Sequence, residues 1–297
     1  MSRRILITGG AGFIGSHLVR ECLRQDWQVA VLCRPETRLA LIEDVIEKIQ
    51  IYSVIGKNGE IMEIFDQFCP DLVFHLASVF RVKHTPRDIP VLVNSNILFG
   101  TQVLDAMAQY KVPYFVNTGT SWQHFENSNY NPVNLYAATK MAFEDILQYY
   151  LETALLGAIT LKLFDTYGPG DPRPKLFNML ERTIRDKTRL EMSQGEQLID
   201  IVYIDDVVNA FILAAKRLFE RKVHGHEVYA VSSGQPIPLR WLVQMFEEIA
   251  GQKADIIWGA RSYREREVMI TWSRGDRLPG WKPYINLEQG IKKIMGS

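Results

Sequence analysis

The sequence predicts an α/β protein: a doubly wound parallel sheet carrying a smaller mixed α/β lobe toward the C-terminal end. Three observations predict it. An apolar strand from Ile5 to Thr8 breaks into the turn Gly9-Gly10-Ala11-Gly12 and continues as a helix from Phe13. Short runs rich in Val, Ile and Phe then alternate with amphipathic stretches of helical period, the pattern of a parallel sheet covered on both faces. Finally, the 297 residues are 47% hydrophobic and 23% charged, enough for a large α/β core or an ordinary domain with a smaller partner.

In the first strand-turn-helix each glycine answers a steric need. Gly9 takes the tight turn, Gly12 leaves room for a pyrophosphate against the backbone, and Gly15 lets the helix pack on the strand. The free amides at Phe13 and Ile14 then face negative charge. This is the layout of a Rossmann phosphate cradle, and Gly9, Gly12, Phe13, Ile14 and Gly15 are its expected cofactor contacts; the bland alternative is an ordinary strand-to-helix connection.

The second strand, Gln28 to Leu32, leads into Cys33 and Arg34, where a NAD-binding chain normally carries an acidic residue for the adenosine ribose. A guanidinium there grips a 2′-phosphate, and Arg38 can add to it. NADP(H) is therefore favoured over NAD(H), with an unremarkable surface arginine as the competing reading. Further strands are expected at Ile49 to Val54, Leu72 to Leu76, Tyr114 to Asn117 and Ile159 to Phe164. After about Gly168 the prolines 169, 172 and 174 crowd together, and helices are expected near Leu176 to Arg185, Asp205 to Leu218 and Leu239 to Ile249. Residues 1–168 thus read as the dinucleotide-binding domain and 169–297 as a substrate lobe, with an interleaved boundary.

Tyr136 and Lys140 form the only Tyr-x-x-x-Lys in the chain and lie one turn apart on a predicted helix running to Tyr150. A nearby ammonium favours phenolate, so Tyr136 is expected to exchange a proton closer to neutral pH than a free tyrosine. The competing reading is an amphipathic helix with an interfacial tyrosine and a solvated lysine. Upstream, a strand ends in the hydroxyl cluster Thr118, Thr120 and Ser121, at the sheet edge where ligands sit. Thr120 can share a hydrogen bond with a substrate oxygen, or simply form a turn.

Composition excludes other classes. A formal net charge of zero gives no electrostatic footprint for nucleic acid or an anionic membrane. Cys22, Cys33 and Cys69 make no CxxC pair and no zinc spacing, so no metal is expected and a reducing cytoplasm fits. A strand beginning within a few residues of Met1 leaves no room for a signal peptide, and no apolar run reaches membrane-spanning length. His224 and His226 read as loop residues rather than metal ligands.

Taken in order, TGGAGFIG at Thr8 to Gly15, PDLVFHLA at Pro70 to Ala77, NILFGT at Asn96 to Thr101, the cluster ending at Thr120, YAATK, LFDTYGPGD at Leu163 to Asp171 and DIVYIDDVVNA at Asp200 to Ala210 cover nearly the whole chain. In this the sequence resembles the extended short-chain dehydrogenase/reductases, the NAD(P)-dependent nucleotide-sugar epimerases, dehydratases and ketoreductases. The resemblance implies a catalytic triad of Thr120, Tyr136 and Lys140. It also implies cofactor contacts at Leu76, Ala77, Asn96 and Thr118. A nucleotide-diphosphate sugar would be held by Thr120, Asp165, Lys175, Asn178 and Arg264, where Arg264 reads equally as a solvated charge. His75 either borders the cofactor or is a satisfied core histidine. Relatives pair the helices containing Asn96 to Tyr110 and Tyr136 to Tyr150 with their twins, which implies a homodimer.

Two departures sharpen the expectation. The family's 4,6-dehydratases place an Asp-Glu pair after the threonine, whereas Ser121 and Trp122 stand here, so dehydration chemistry is not expected. Ile199 occupies a position where many relatives have an arginine. The segment Trp122-Gln123-His124-Phe125 and Asp165 are most similar to CDP-paratose and CDP-abequose synthase-type enzymes, which implies NADPH-dependent 4-ketoreduction of a 4-keto-6-deoxy or 3,6-dideoxy sugar. An NAD-dependent 4-epimerase is the alternative, and a non-catalytic dinucleotide binder a distant third.

Overall fold

The computed structural model describes residues 2–55, 59–154, 156–223 and 225–296. Among these residues the sheet begins with β1 (Arg4–Thr8), β2 (Gln28–Cys33), β3 (Gln50–Ser53), β4 (Leu72–His75), β5 (Tyr114–Thr120) and β6 (Gly157–Leu163). The next strand, β7 (Asp165–Tyr167), pairs with β10 (Ile201–Tyr203), while β8 (Arg189–Met192) pairs with β13 (Asp255–Trp258) and β9 (Leu198–Ile199) with β12 (Ile237–Pro238). The chain then returns to the main sheet: β11 (His226–Val231) lies parallel to β6 as a seventh strand. The order β11-β6-β5-β4-β1-β2-β3 is parallel throughout and reverses direction between β1 and β4, the doubly wound arrangement expected from the sequence.

Strand alternation builds the two cores. Ile5, Ile7, Val29, Val31 and Phe74 point to one face, and Leu6, Ala30, Leu32, Val73 and Phe115 to the other. The first face is covered by α1 (Phe13–Arg24), the second by α2 (Glu60–Phe68). Beyond α2, α3 (Asp88–Val93) runs through a π-turn at Asn94–Leu98 into α4 (Phe99–Gln109), which packs on α5 (Leu135–Ala154). The smaller lobe adds α6 (Leu176–Asp186), α7 (Ile204–Phe219), α8 (Leu239–Ala250) and α9 (Leu287–Met295). Of these, α7 is shared: it packs on α1, β5 and β6 and so completes the first face of the sheet. One expectation fails here. His226 is not in a loop but opens β11, where its Nε2 meets the Thr160 hydroxyl at 2.8 Å, because the sheet takes a late strand that the proline-rich change after Gly168 conceals. His224 lies outside the described residues.

The turn between β1 and α1 is held by contacts that admit no side chain. Gly9 has φ +73°, and a Cβ on it would lie 2.7 Å from the Ala77 nitrogen. A Cβ on Gly15 would lie 2.1 Å from the Gly9 carbonyl oxygen, whereas on Gly12 the nearest atom would be 3.3 Å away. Gly15→Ala should therefore lower stability by about 1–3 kcal/mol, the cost of forcing backbone apart. Gly12→Ala should change the urea midpoint far less, and equal midpoints for the two variants would contradict this packing.

Candidate active site

The parallel sheet directs its carboxyl edge, and with it the ends of β1, β4 and β5, toward one crevice. At the end of β1 the Thr8 hydroxyl accepts from the Ala77 nitrogen at 3.2 Å and shares a 2.9 Å hydrogen bond with His75 Nδ1. Beside it α1 begins at Phe13 with no acidic residue in its first turn and no side chain capping Gly12, so its N-terminal amides face the crevice without a competing carboxylate.

At the end of β5, Thr120 caps the short turn Ser121–Gln123. Its Oγ1 accepts from the Trp122 nitrogen at 3.2 Å, and Gln123 Oε1 accepts from the Thr120 nitrogen at 3.0 Å. Both bonds fix the hydroxyl while leaving its proton free to donate. Helix α5 starts where the Asn134 side chain accepts from the Ala137 nitrogen at 3.0 Å. The i,i+4 spacing then brings Tyr136 and Lys140 to one face.

The electrostatics differ from expectation at Tyr136. Burial pushes its phenol up to about 12, and a hydrogen bond with the Ser78 hydroxyl only partly opposes that. The downward pull expected from Lys140 is not among the influences on the phenol, and burial dominates because a phenolate loses its solvation at this depth. Lys140 is 1% exposed, and burial pulls it down to about 8 against the raising influence of Glu144. Its Nζ has no hydrogen-bond partner, nor has the buried Thr118 hydroxyl. Two unsatisfied polar groups, one on α5 and one near the end of β5, fit a bound molecule rich in hydroxyls, such as a nicotinamide ribose.

The other expected residues divide. Leu76 and Ala77 sit against the Gly9 turn. Asn96 is fully buried: its amide donates to the Val79 carbonyl and Thr139 hydroxyl, each at 3.0 Å, and accepts from the Val79 nitrogen at 2.7 Å. It therefore fixes the loop after β4 in position. Arg34 is exposed and pairs with Glu36 at 3.2 Å, and Arg38 is exposed nearby. Lys175 and Asp165 meet each other at 2.6 Å. Asn178 holds the loop carbonyls of Asp171 and Arg173. Arg264 is exposed beside Glu267.

Several site residues escaped the sequence. Phe80 stands 5.0 Å from the Tyr136 ring and 5.5 Å from Trp122, an aromatic wall over the phenol. Arg173 lies over Phe13 at 4.8 Å, at the start of α1. Behind Thr120, Gln123, His124, Glu144 and Lys162 form a buried polar cluster. Only Glu144 had a readable signal, one turn beyond Lys140 on the same helix. Among the described residues, no group of His, Cys, Asp and Glu could hold a metal ion, and no helix is long and apolar enough to cross a membrane.

Comparison with known proteins agrees with this fold. Residues 5–231 match the model of the NAD dependent epimerase/dehydratase family. The chain belongs to that family. Within it, the chain is 26% identical to a CDP-abequose synthase of Salmonella muenchen, covering 99% of this chain and 98% of the relative. It is also 26% identical to a UDP-glucuronate 4-epimerase of Thermodesulfobacterium geofontis, covering 98% and 94%. The fold recurs in the Bacillus cereus UDP-glucuronic acid 4-epimerase, with a TM-score of 0.88 at 23% identity covering 99% and 98%. It recurs again in the Thermotoga maritima UDP-glucose 4-epimerase, with a TM-score of 0.85 at 24% identity covering 99% and 97%.

Lys140 offers a direct check on the site's electrostatics. Its folded value lies below the unfolded one, so between about 8 and the ordinary 10.5 the unfolded chain binds the extra proton and stability rises with pH. The penalty is present in full below that window. Lys140→Met should therefore be more stable than the native chain at pH 7, by about 3 kcal/mol, with the gap closing near pH 10.5 in urea titrations. A gap independent of pH would contradict a buried, unpaired ammonium.

Proposed function

We propose that this chain is a nicotinamide-dinucleotide-dependent 4-ketoreductase acting on a nucleotide-linked 4-keto-6-deoxy sugar, with NADPH as the preferred reductant. The observation that carries the reading is Tyr136: burial pushes its phenol up to about 12, so it keeps its proton at neutral pH, and the Thr120 hydroxyl also has its proton free to donate. The CDP-abequose synthase relatives, and Ser121 and Trp122 where a dehydratase carries carboxylates, support the same direction.

The dinucleotide phosphates fit the open N-terminus of α1 between Gly9, Gly12 and Gly15, with Phe13 and Ile14 supplying amides. Lys140 and Thr118 fit the nicotinamide ribose through their unsatisfied polar atoms. When bound, the nicotinamide supplies the hydride. Tyr136 gives its proton to the C4 oxygen as negative charge develops there, and Thr120 donates a hydrogen bond to the same oxygen. The Lys140 ammonium then offsets the phenolate that Tyr136 becomes. Phe80 and Trp122 exclude water and present apolar surface to the deoxy carbons of the sugar. In this reading Arg34 and Arg38 would take a 2′-phosphate, Asp165 and Lys175 sugar or base hydroxyls, and Arg264 the diphosphate, the choice resting on residue chemistry and family resemblance.

A second reading, an NAD-dependent 4-epimerase, has one observation in its favour: Glu36 lies beside Arg34, so a carboxylate is also available to an adenosine ribose. Purified protein given NADPH and a CDP- or dTDP-4-keto-6-deoxy sugar separates the readings. Stoichiometric loss of reduced-cofactor absorbance is expected, and a C4 epimer formed without net consumption would replace the reductase with the epimerase. Tyr136→Phe should lower kcat by about 10²–10⁴-fold, the usual contribution of a positioned acid. Arg34→Asp should weaken NADP(H) binding much more than NAD(H) binding in fluorescence titrations, and equal losses would remove the phosphate role.

A further inference from the structure

Behind the catalytic threonine lies a chain of buried polar groups that the proposed chemistry does not use. Gln123, 0% exposed, accepts from the Thr120 nitrogen at 3.0 Å and donates to Glu144 Oε1 at 2.8 Å. The other carboxylate oxygen of Glu144 pairs with Lys162 Nζ at 3.5 Å. Lys162 in turn meets His124 Nε2 at 3.0 Å, and His124 Nδ1 meets the Ser128 carbonyl at 3.1 Å. A carbonyl only accepts, so Nδ1 carries the ring proton and Nε2 accepts from the lysine. The oriented imidazole stacks on Trp272 with ring centres 3.9 Å apart, and Asn127 clasps the adjacent Ser273 by bonds of 3.0 and 3.1 Å.

Charge makes Glu144 the centre of this cluster. Lys140 and Lys162 are both nearly fully buried, and one carboxylate serves the two. Lys140 interacts with Glu144 on its own helix, where Tyr136 lies one turn before it, and with His75 on β4, and Lys162 on β6 pairs with the same carboxylate. Burial holds His75 and His124 down to about 3 and about 4, so neither adds charge at neutral pH. No other carboxylate contributes to Lys140, which makes its protonated state depend on this one residue.

We propose that Glu144 is a positioning residue that serves both sides of the catalytic group: through Gln123 it fixes the Thr120 backbone, and one helical turn from Lys140 its charge keeps that lysine an ammonium. The inference rests on the catalytic roles proposed above for Thr120 and Lys140, but its test does not need turnover. Lysine-selective NMR of the whole chain, with Lys140 assigned through Lys140→Arg, follows its titration directly. Glu144→Gln should move the midpoint down by about one pH unit, the lower end of what a neighbouring opposite charge contributes, and Glu144→Asp should largely restore it. Unfolding would move it the other way, toward the ordinary lysine value, so the sign separates lost charge from lost structure. A midpoint unchanged or raised in a Glu144→Gln variant with native circular dichroism overturns the proposal. In the reductase assay the same variant should lose kcat by about tenfold with KM for the nucleotide sugar little changed, the split expected when only the reacting geometry suffers. Should the midpoint fall as expected while the native chain reduces no ketosugar, the positioning role stands and the reductase reading fails.

Discussion

Everything at the crevice depends on how closely backbone meets backbone where the sheet reverses direction. Gly9 lies against Leu76 and Ala77, and Gly15 against the Gly9 carbonyl, at separations that no Cβ would permit. Those contacts set the start of α1 relative to the ends of β1 and β4, and the Thr8 hydroxyl ties the same two strands together through His75 and Ala77. Because β5 is the next strand over, Thr120 then stands two strand spacings from β1, about 10 Å. The glycine turn and the Thr120 hydroxyl thus acquire a fixed separation from sheet geometry alone. No flexible element intervenes between them.

The same rigidity lets the fold hold charge where water cannot reach. An unpartnered lysine at 1% exposure destabilises the folded chain, and it persists because packing around Phe143 and His75 leaves it nowhere else to go. Its environment resembles that of many active sites, where burial and one specific partner shift a group away from its ordinary behaviour. Glu144 keeps this from becoming an isolated charge, and Lys162 keeps Glu144 from being fully claimed by Lys140. Removing Glu144 would leave two buried lysines without a carboxylate.

Features carried by local geometry were legible in the sequence. A glycine needing positive φ, a tyrosine and lysine at i,i+4, and an alternating pattern that sends Ile5 and Leu6 to opposite cores all follow from a few adjacent residues. What depends on distant segments was not legible. The direction of the Tyr136 shift required knowing how deeply the folded chain buries it, with the Phe80 loop packed against its ring. His226 entered the sheet because its partner strand lies some seventy residues earlier, at Ala158 to Leu163. Asn178 and the Asp165 and Lys175 pair are engaged with protein groups in this structure, which residue type alone does not reveal. Arg34 likewise has a carboxylate two positions on that the chain's spacing contained, yet only a turn brings the two side chains together.

The two enzymatic readings ask opposite things of one phenol. Reduction of a ketosugar needs Tyr136 to hold a proton until the C4 oxygen takes it, so a high value is an advantage until hydride arrives. Epimerisation begins by removing a proton from a C4 hydroxyl, which needs the phenolate first and so needs the value brought toward neutrality. Burial of the Tyr136 phenol, with the Phe80 ring packed edge-on against it, pushes toward the first requirement. Replacing that ring by a polar, hydrated side chain would relax the phenol and move the chain toward the requirement of an epimerase. On the proposed roles, the burial around Tyr136, rather than the Thr120, Tyr136 and Lys140 set that both chemistries would share, is what separates the two directions of proton transfer.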